Sequence, residues 1–183
     1  MLKLEDSYKF LEEYADPSYD LIWVISHGMF NYDDAPNSKI VLDDYYETSL
    51  KTLIEKIPPL DKRRLLVLNA CQSGCSPVRY DGMGFIGFGP TLANQNQSVI
   101  GNLWKVNSLS ASIYGSLLLT YLVEGEEWST AVNKAKHDFQ KGDDYVIDLL
   151  SKRISPKLQL YEQIRRIGTD DLKKIYLWGA YSG

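Results

Sequence analysis

Two segments of the 183-residue chain lead into a residue that can do nucleophilic or proton-transfer chemistry. Residues 64–74 read RLLVLNACQSG, so an apolar run ends at Cys71 and a Ser-Gly turn. Residues 21–28 read LIWVISHG and end in the same way, at His27 and Gly28. Apolar runs without alternation are typical of strands buried on both faces, and parallel sheets display reactive groups at the carboxyl ends of their strands. If these two strands are parallel neighbours, we expect Cys71 and His27 to emerge side by side.

A cysteine, a histidine and backbone N–H donors are the minimum set for acyl transfer. A thiol with an ordinary pKa of about 8.5 is mostly protonated at neutral pH, and a nearby imidazole can take its proton. Gly28 and the turn at Cys71 can bring N–H groups close to a carbonyl oxygen. From the residues alone, a buried structural cysteine beside an incidental histidine is an equally good interpretation.

A zinc site is a second chemistry to weigh. Cys71, Cys75, His27 and His137 form a Cys2His2 set, but the two histidines are far apart and lack the close spacing of zinc ligands. His137 falls off the apolar face of a helix predicted at 128–140, so we expect it to face solvent. The sequence therefore predicts no metal site.

Composition favours a single cytoplasmic domain. Hydrophobic residues make up 44% of the chain and charged residues 24%, and the net charge of -4 argues against direct nucleic-acid binding. No apolar run of about 18 residues predicts a membrane span. The N-terminus has no signal-peptide core. The two cysteines lie only four positions apart, which favours free thiols in a reducing compartment. We interpret the basic cluster at 62–64 as the solvated end of an element.

The periodicity predicts an α/β fold: a three-layer sandwich with a mostly parallel sheet. Residues 28–38 are predicted to be a polar loop. The remaining expectations are strands at 19–26, at 39–42, along the cysteine segment, at 98–104 and at 175–181, and helices at 5–14, 46–57, 82–94, 108–123 and 128–140, with one or two more within 143–169.

Residues 21–25 of the first strand are apolar on both sides, which indicates strand neighbours on both edges. Nothing before Tyr19 resembles a strand. We therefore expect the sheet to lack its N-terminal strands, and an upstream polypeptide or a partner chain to complete it.

Three residues are candidates for substrate binding. Asp81 stands at a predicted helix start, where it could cap the helix or line a pocket for a basic side chain. Trp104 closes a strand and could belong to the core or wall a substrate groove. Asp33 belongs to an acidic loop after the histidine, which is mainly a solvated surface but could steer a cationic peptide.

Four segments in this order resemble the CHAT family of caspase-like proteases: SHG at 26–28, NSKIVL at 37–42, LNACQSG at 68–74 and GNLWKVNS at 101–108. The closing YLWGAY at 176–181 is similar to the family's last strand. The resemblance implies a caspase-like sheet and a single CHAT domain over 1–183, corresponding to the C-terminal portion that carries the catalytic dyad. It also implies a cysteine endopeptidase that cleaves a protein or peptide substrate without a cofactor.

Site residues follow from the same resemblance. It implies that Cys71 is the nucleophile and His27 the general base and acid, with the Gly28 and Cys71 amides as oxyanion donors. Asp81 matches an acidic position near the primary specificity pocket. The family's links to regulated proteolysis, including bacterial defence, imply that a trigger or partner is needed. A non-catalytic interaction module, and an esterase or transferase using the same dyad, stay open as alternatives.

Overall fold

The computed structural model describes residues 9–75, 87–153, 158–174 and 181–182. The chain divides into two compact units, one over residues 1–105 and one over residues 106–182. The elements of the first unit are α1 (Phe10–Ala15), β1 (Leu21–Ile25), β2 (His27–Met29), a 3-10 turn (Ala35–Asn37), β3 (Lys39–Val41), β4 (Glu47–Ser49), α2 (Leu50–Glu55), β5 (Arg64–Asn69), α3 (Phe88–Leu92) and β6 (Gln97–Asn102). The second unit contains α4 (Ser108–Val123), α5 (Trp128–Phe139), α6 (Asp143–Ser151), α7 (Leu158–Ile167), α8 (Thr169–Leu172) and β7 (Tyr181–Ser182).

A parallel sheet built on β5 organises the first unit. β5 lies between β1 and β6 and pairs in parallel with both. All six residues of β5 are buried, which explains why its apolar run shows no alternation. The mixed α/β class, and the parallel pairing of the histidine and cysteine segments, are therefore confirmed.

β1 is less protected than β5. Within the described part of the chain, β5 is the only strand that pairs with β1. Val24 is buried, but Ile25 is 71% exposed. A second neighbour for β1 stays a prediction, and the exposed Ile25 side chain is compatible with it.

The polar loop predicted at 28–38 is wrong at its beginning. His27–Met29 form β2, which pairs antiparallel with β3, and β3 pairs antiparallel with β4. Gly28 lies opposite Ile40, whose side chain is fully buried. A strand of three residues has too short a pattern to show a period, so its pairing with β3 decides its conformation.

The helix predicted at 46–57 begins later than expected. Residues Glu47–Ser49 form β4, and Thr48 fills a buried position there that suits its β-branched side chain. Ser49 is the N-cap of α2, and its hydroxyl accepts a hydrogen bond from the Thr52 amide at 3.1 Å. The change from strand to helix is therefore set by one capping residue.

Arg64 contradicts the solvated interpretation of the basic cluster, since it is only 2% exposed. Its Nη1 donates to the Tyr14 carbonyl at 2.9 Å, and its Nε donates to Gln97 Oε1 at 2.8 Å. The guanidinium also lies 5.2 Å from the centre of the Tyr14 ring. Arg64 thus joins the end of α1 to the beginnings of β5 and β6. Lys62 and Arg63 are exposed, as predicted.

The helical unit agrees closely with expectation. α4 has the predicted bounds, and the Asn107 side chain caps it by accepting a hydrogen bond from the Leu109 amide at 2.8 Å. His137 in α5 is exposed, as predicted. Two helices, α6 and α7, lie within 143–169, and the short α8 was not predicted. Of the helix predicted at 82–94, residues 82–86 lie outside the described residues; of the strand predicted at 175–181, only its last residue is described, in β7.

A buried carboxylate links α4 to α5. Asp138 accepts hydrogen bonds from the Tyr121 hydroxyl and from Lys141 Nζ, the latter at 2.7 Å. Burial would raise the pKa of Asp138, but the hydrogen bonds from Lys141 and Tyr121 outweigh it and hold that pKa below its usual value. Burial and the bond to Asp138 raise the pKa of Tyr121 to about 12.

No helix among the described residues is both long and apolar enough to span a membrane.

Candidate active site

His27 and Cys71 follow the paired ends of two neighbouring parallel strands. Ile25, the last residue of β1, pairs with Asn69, the last residue of β5. The Ser26 amide continues this alignment by donating to the Asn69 carbonyl at 3.4 Å. His27 and Cys71 each lie two residues beyond this pair, so both belong to the carboxyl edge of the sheet, where α/β proteins place their ligands.

Gly28 lies directly against the backbone of Cys71. A Cβ atom on Gly28 would be 2.1 Å from the Cys71 carbonyl oxygen and 3.1 Å from the Cys71 nitrogen. Only glycine permits this approach, because any side chain would occupy the space of the Cys71 peptide. β2, which carries His27 and Gly28, is therefore in contact with the turn that carries Cys71.

Ser73 anchors the turn after Cys71 to the sheet. Its hydroxyl donates to the Leu68 and Ala70 carbonyls at 2.7 and 2.8 Å and accepts from the Asn102 amide at 3.0 Å. The Gly74 amide donates to the Asn102 carbonyl at 2.8 Å. These bonds join the turn to both β5 and β6, so the position of Cys71 depends on both strands.

A second close approach supports the same turn. A Cβ atom on Gly101 in β6 would be 2.8 Å from the Gly74 nitrogen and 2.9 Å from the Ser73 carbonyl carbon. Glycine at 101 therefore lets β6 lie against the turn. The side chains of Asn69 and Asn102, both buried, are also hydrogen-bonded, at 3.3 Å.

Gln72 has a left-handed backbone conformation, with φ of 58°, the only positive φ of a non-glycine residue among those described. Its amide donates to the Trp104 carbonyl at 3.4 Å, and its side-chain Nε2 donates to the Tyr32 hydroxyl at 2.9 Å. The residue that follows Cys71 is therefore held on one side by the end of β6 and on the other by the loop after β2.

Cys75 is a thiol at the end of the same turn, and neither cysteine forms a disulfide. Its Sγ donates to the Leu103 carbonyl at 2.8 Å. Burial raises the pKa of the Cys75 thiol, and the hydrogen bond from the Tyr32 hydroxyl offsets part of that effect. A raised pKa keeps Cys75 protonated, and a protonated thiol is a poor nucleophile.

The other predicted site residues have different outcomes. Trp104 is half-buried, and its carbonyl contacts the Gln72 amide, which places its backbone beside the Cys71 turn. Asp33 is exposed in the loop after β2, where its amide donates to Asn31 Oδ1 at 3.1 Å. Asp81 lies outside the described residues. The assignment of roles to all these residues stays a prediction.

Two contributors to the site were missed. Tyr32 forms a hydrogen bond with Gln72, which lies 40 positions further along the chain. Ser73, a residue of the turn itself, forms a hydrogen bond with the Leu68 carbonyl. The Ser-Gly pair after Cys71 could have suggested an anchoring hydroxyl, because serine often bonds nearby backbone carbonyls. Nothing in the sequence around Tyr32 points to its contacts.

The zinc alternative gains no support. In the part of the chain that the structure describes, no group of three or more His, Cys, Asp or Glu side chains could hold a metal ion.

A histidine and a cysteine at the carboxyl edge of a parallel sheet define a mixed α/β protein with a candidate cysteine-dependent site. Comparison with protein-family models matches the CHAT domain over residues 6–182, so the chain belongs to the CHAT domain family, a family of caspase-like proteases. The membership implies a caspase-like fold and confirms the resemblance in the four motif segments. A search of curated proteins finds no match for the chain.

Proposed function

We propose that this protein is a cysteine endopeptidase that cleaves a protein or peptide substrate with Cys71 and His27. His27 takes the thiol proton of Cys71, and the thiolate attacks the scissile carbonyl carbon. The oxyanion of the tetrahedral intermediate accepts hydrogen bonds from the Gly28 and Cys71 amides. His27 then gives its proton to the leaving amine, and water releases the acyl group by the reverse steps. No cofactor is required.

The contact of Gly28 with the Cys71 backbone is the observation that carries this proposal. It joins the residue after the histidine to the cysteine itself, at the ends of paired strands, in a chain of a caspase-like protease family. His27 is exposed, and Cys71 is half-buried, so a polypeptide can reach both.

Substrate recognition would use the acidic and aromatic residues around this edge. Asp33 is exposed in the loop after His27, and Asp81 would add a second carboxylate, so a peptide with a basic side chain near the cleavage site is the favoured substrate. Trp104 would wall the groove beside Cys71.

The sheet would be completed by further strands into a three-layer caspase-like sandwich. Among the described residues β5 is the only strand paired with β1, which supports an upstream polypeptide or partner chain that pairs with the other edge of β1. Binding of that strand would be the trigger of regulated proteolysis, since β1 leads directly into His27.

Matched pairs within the chain test the peptidase. Cys71→Ala is expected to abolish cleavage of a peptide library, whereas Cys75→Ala keeps it; His27→Ala is expected to abolish cleavage, whereas His137→Ala on the exposed face of α5 keeps it. Far-ultraviolet circular dichroism confirms that each variant is folded. Cleavage by Cys71→Ala at the parent rate would refute the proposal.

A non-catalytic interaction module is the second candidate, favoured by the exposed apolar side chain of Ile25 at the end of β1. It predicts that a partner strand binds equally well to the parent and to Cys71→Ala, and that neither yields a cleavage product. A Cys71-dependent product in the presence of the partner would rule it out.

A further inference from the structure

A chain of hydrogen bonds crosses the turn that carries Cys71. Gln72 Nε2 donates to the Tyr32 hydroxyl at 2.9 Å, and the Tyr32 hydroxyl and the Cys75 thiol lie close enough for each to shift the pKa of the other. The Cys75 thiol donates in turn to the Leu103 carbonyl at 2.8 Å. The Tyr32 hydroxyl therefore bonds to the residue that follows Cys71 and lies near the residue that ends the turn.

The Gln72 backbone needs such support. With φ of 58°, its Cβ is crowded by the neighbouring carbonyl, a conformation that other residues adopt only when their surroundings hold them there. The hydrogen bond from the Gln72 amide to the Trp104 carbonyl is long, at 3.4 Å, whereas the Gln72 carbonyl accepts from the Cys75 amide at 3.0 Å. The side-chain hydrogen bond to Tyr32, at 2.9 Å, adds a restraint from outside the turn.

Tyr32 contributes little to the core. Its side chain is 60% exposed, and its ring meets the edge of Phe30 with centroids 5.0 Å apart. Loss of the hydroxyl would leave that ring contact unchanged. The polar end of Tyr32 is therefore engaged with the Cys71 turn rather than with the packing of the unit.

We propose that Tyr32 is a positioning residue, whose hydroxyl holds Gln72 in its left-handed conformation and so fixes the direction of the Cys71 thiol and amide. Its catalytic consequence rests on the proposed peptidase function, whereas its effect on the turn does not. Tyr32 acts through the Gln72 side chain.

The first test measures the turn itself, without a substrate. Tyr32→Phe is expected to speed hydrogen exchange of the amides in residues 70–75 by about 3- to 10-fold, the loss that one net hydrogen bond predicts. Exchange in β5 and β6 should stay within twofold of the parent. Tyr45→Phe is the matched control, because the Tyr45 side chain is 98% exposed.

The second test separates backbone conformation from general packing. Gln72→Gly adopts a positive φ at no steric cost, whereas Gln72→Ala loses the bond to Tyr32 and keeps the crowded Cβ. We expect Gln72→Ala to lower kcat by about 10-fold with KM within twofold, and Gln72→Gly to recover most of that loss. Tyr32→Phe should lower kcat in the parent but have little further effect in Gln72→Ala, since its partner is already gone.

Unchanged exchange in residues 70–75 of Tyr32→Phe would overturn the proposal. Equal acceleration throughout β5 and β6 would overturn it as well, because the tyrosine would then act on stability alone. Faster exchange confined to the turn, in a chain that shows no Cys71-dependent cleavage even with a partner strand bound to β1, would support the positioning role and refute the peptidase instead.

Discussion

Replacing Gly28 by alanine is the sharpest test of how β2 and the Cys71 turn fit together. The new Cβ would stand 2.1 Å from the Cys71 carbonyl oxygen, whereas a close C···O contact is about 3.3 Å. The backbone of one segment must therefore move by about 1 Å. Because the obstructing atom belongs to the main chain, no side-chain rotation can relieve the contact. If Cys71 is the nucleophile as proposed, a displacement of this size is expected to lower kcat by about 100-fold.

Stability should fall together with activity. Overpacking of this kind costs about 2 kcal/mol, which lowers the melting temperature by about 4 to 8 °C for a chain of this length. The measurements are thermal unfolding followed by circular dichroism, and peptide cleavage well below the melting temperature. Gly89→Ala is the matched control, because a Cβ on Gly89 in α3 would meet no described atom within 4 Å and alanine favours a helix. If Gly28→Ala melted and cleaved like the parent, the close approach and the site built on it would be refuted.

Three further predictions concern stability. Arg64→Met should lower the free energy of unfolding by about 2 kcal/mol in urea titration, because Gln97 and the Tyr14 carbonyl lose a buried donor; an unchanged midpoint would contradict this. Folding lowers the pKa of Asp138, so the stabilisation by this carboxylate is present above the unfolded pKa of about 3.9 and is lost as pH falls through the folded pKa. Asp138→Asn should therefore make the melting temperature fall less steeply with decreasing pH in the acid range than it does in the parent. The pKa of Tyr121 is raised to about 12, so its stabilisation of up to about 3 kcal/mol is complete below pH of about 10 and is lost as pH rises through the folded value. Tyr121→Phe should make the alkaline loss of stability smaller than in the parent, and an alkaline loss of the same size in both proteins would disprove this.

The central sheet and the position of the cysteine could be predicted because each depends on a short segment. β5 is buried on both faces, and this leaves a run of apolar residues that is visible without any knowledge of its neighbours. α4 was predictable to the residue because Asn107 is an N-cap before a long apolar helix.

The strands β2 and β4 could not be predicted because each has only three residues and, unlike β3 with Ile40 and Val41, no run of β-branched apolar residues. Their conformation comes from pairing with β3 rather than from local propensity. Arg64 was misjudged for a similar reason: charge alone predicts solvent exposure, and its partners Tyr14 and Gln97 are 50 and 33 positions away. The contact of Tyr32 with Gln72 spans 40 positions and has no local signature either.

The two ends of β5 have different roles in the protein. Arg64 begins the strand and Cys71 follows its last residue by two positions, so about 20 Å of buried backbone separates the guanidinium anchor from the thiol. Substitutions at the Arg64 end should therefore change the rate of thermal inactivation but not the proposed activity of the molecules that stay folded. Heat tolerance could accordingly be selected or engineered at the amino end of this strand independently of catalytic speed.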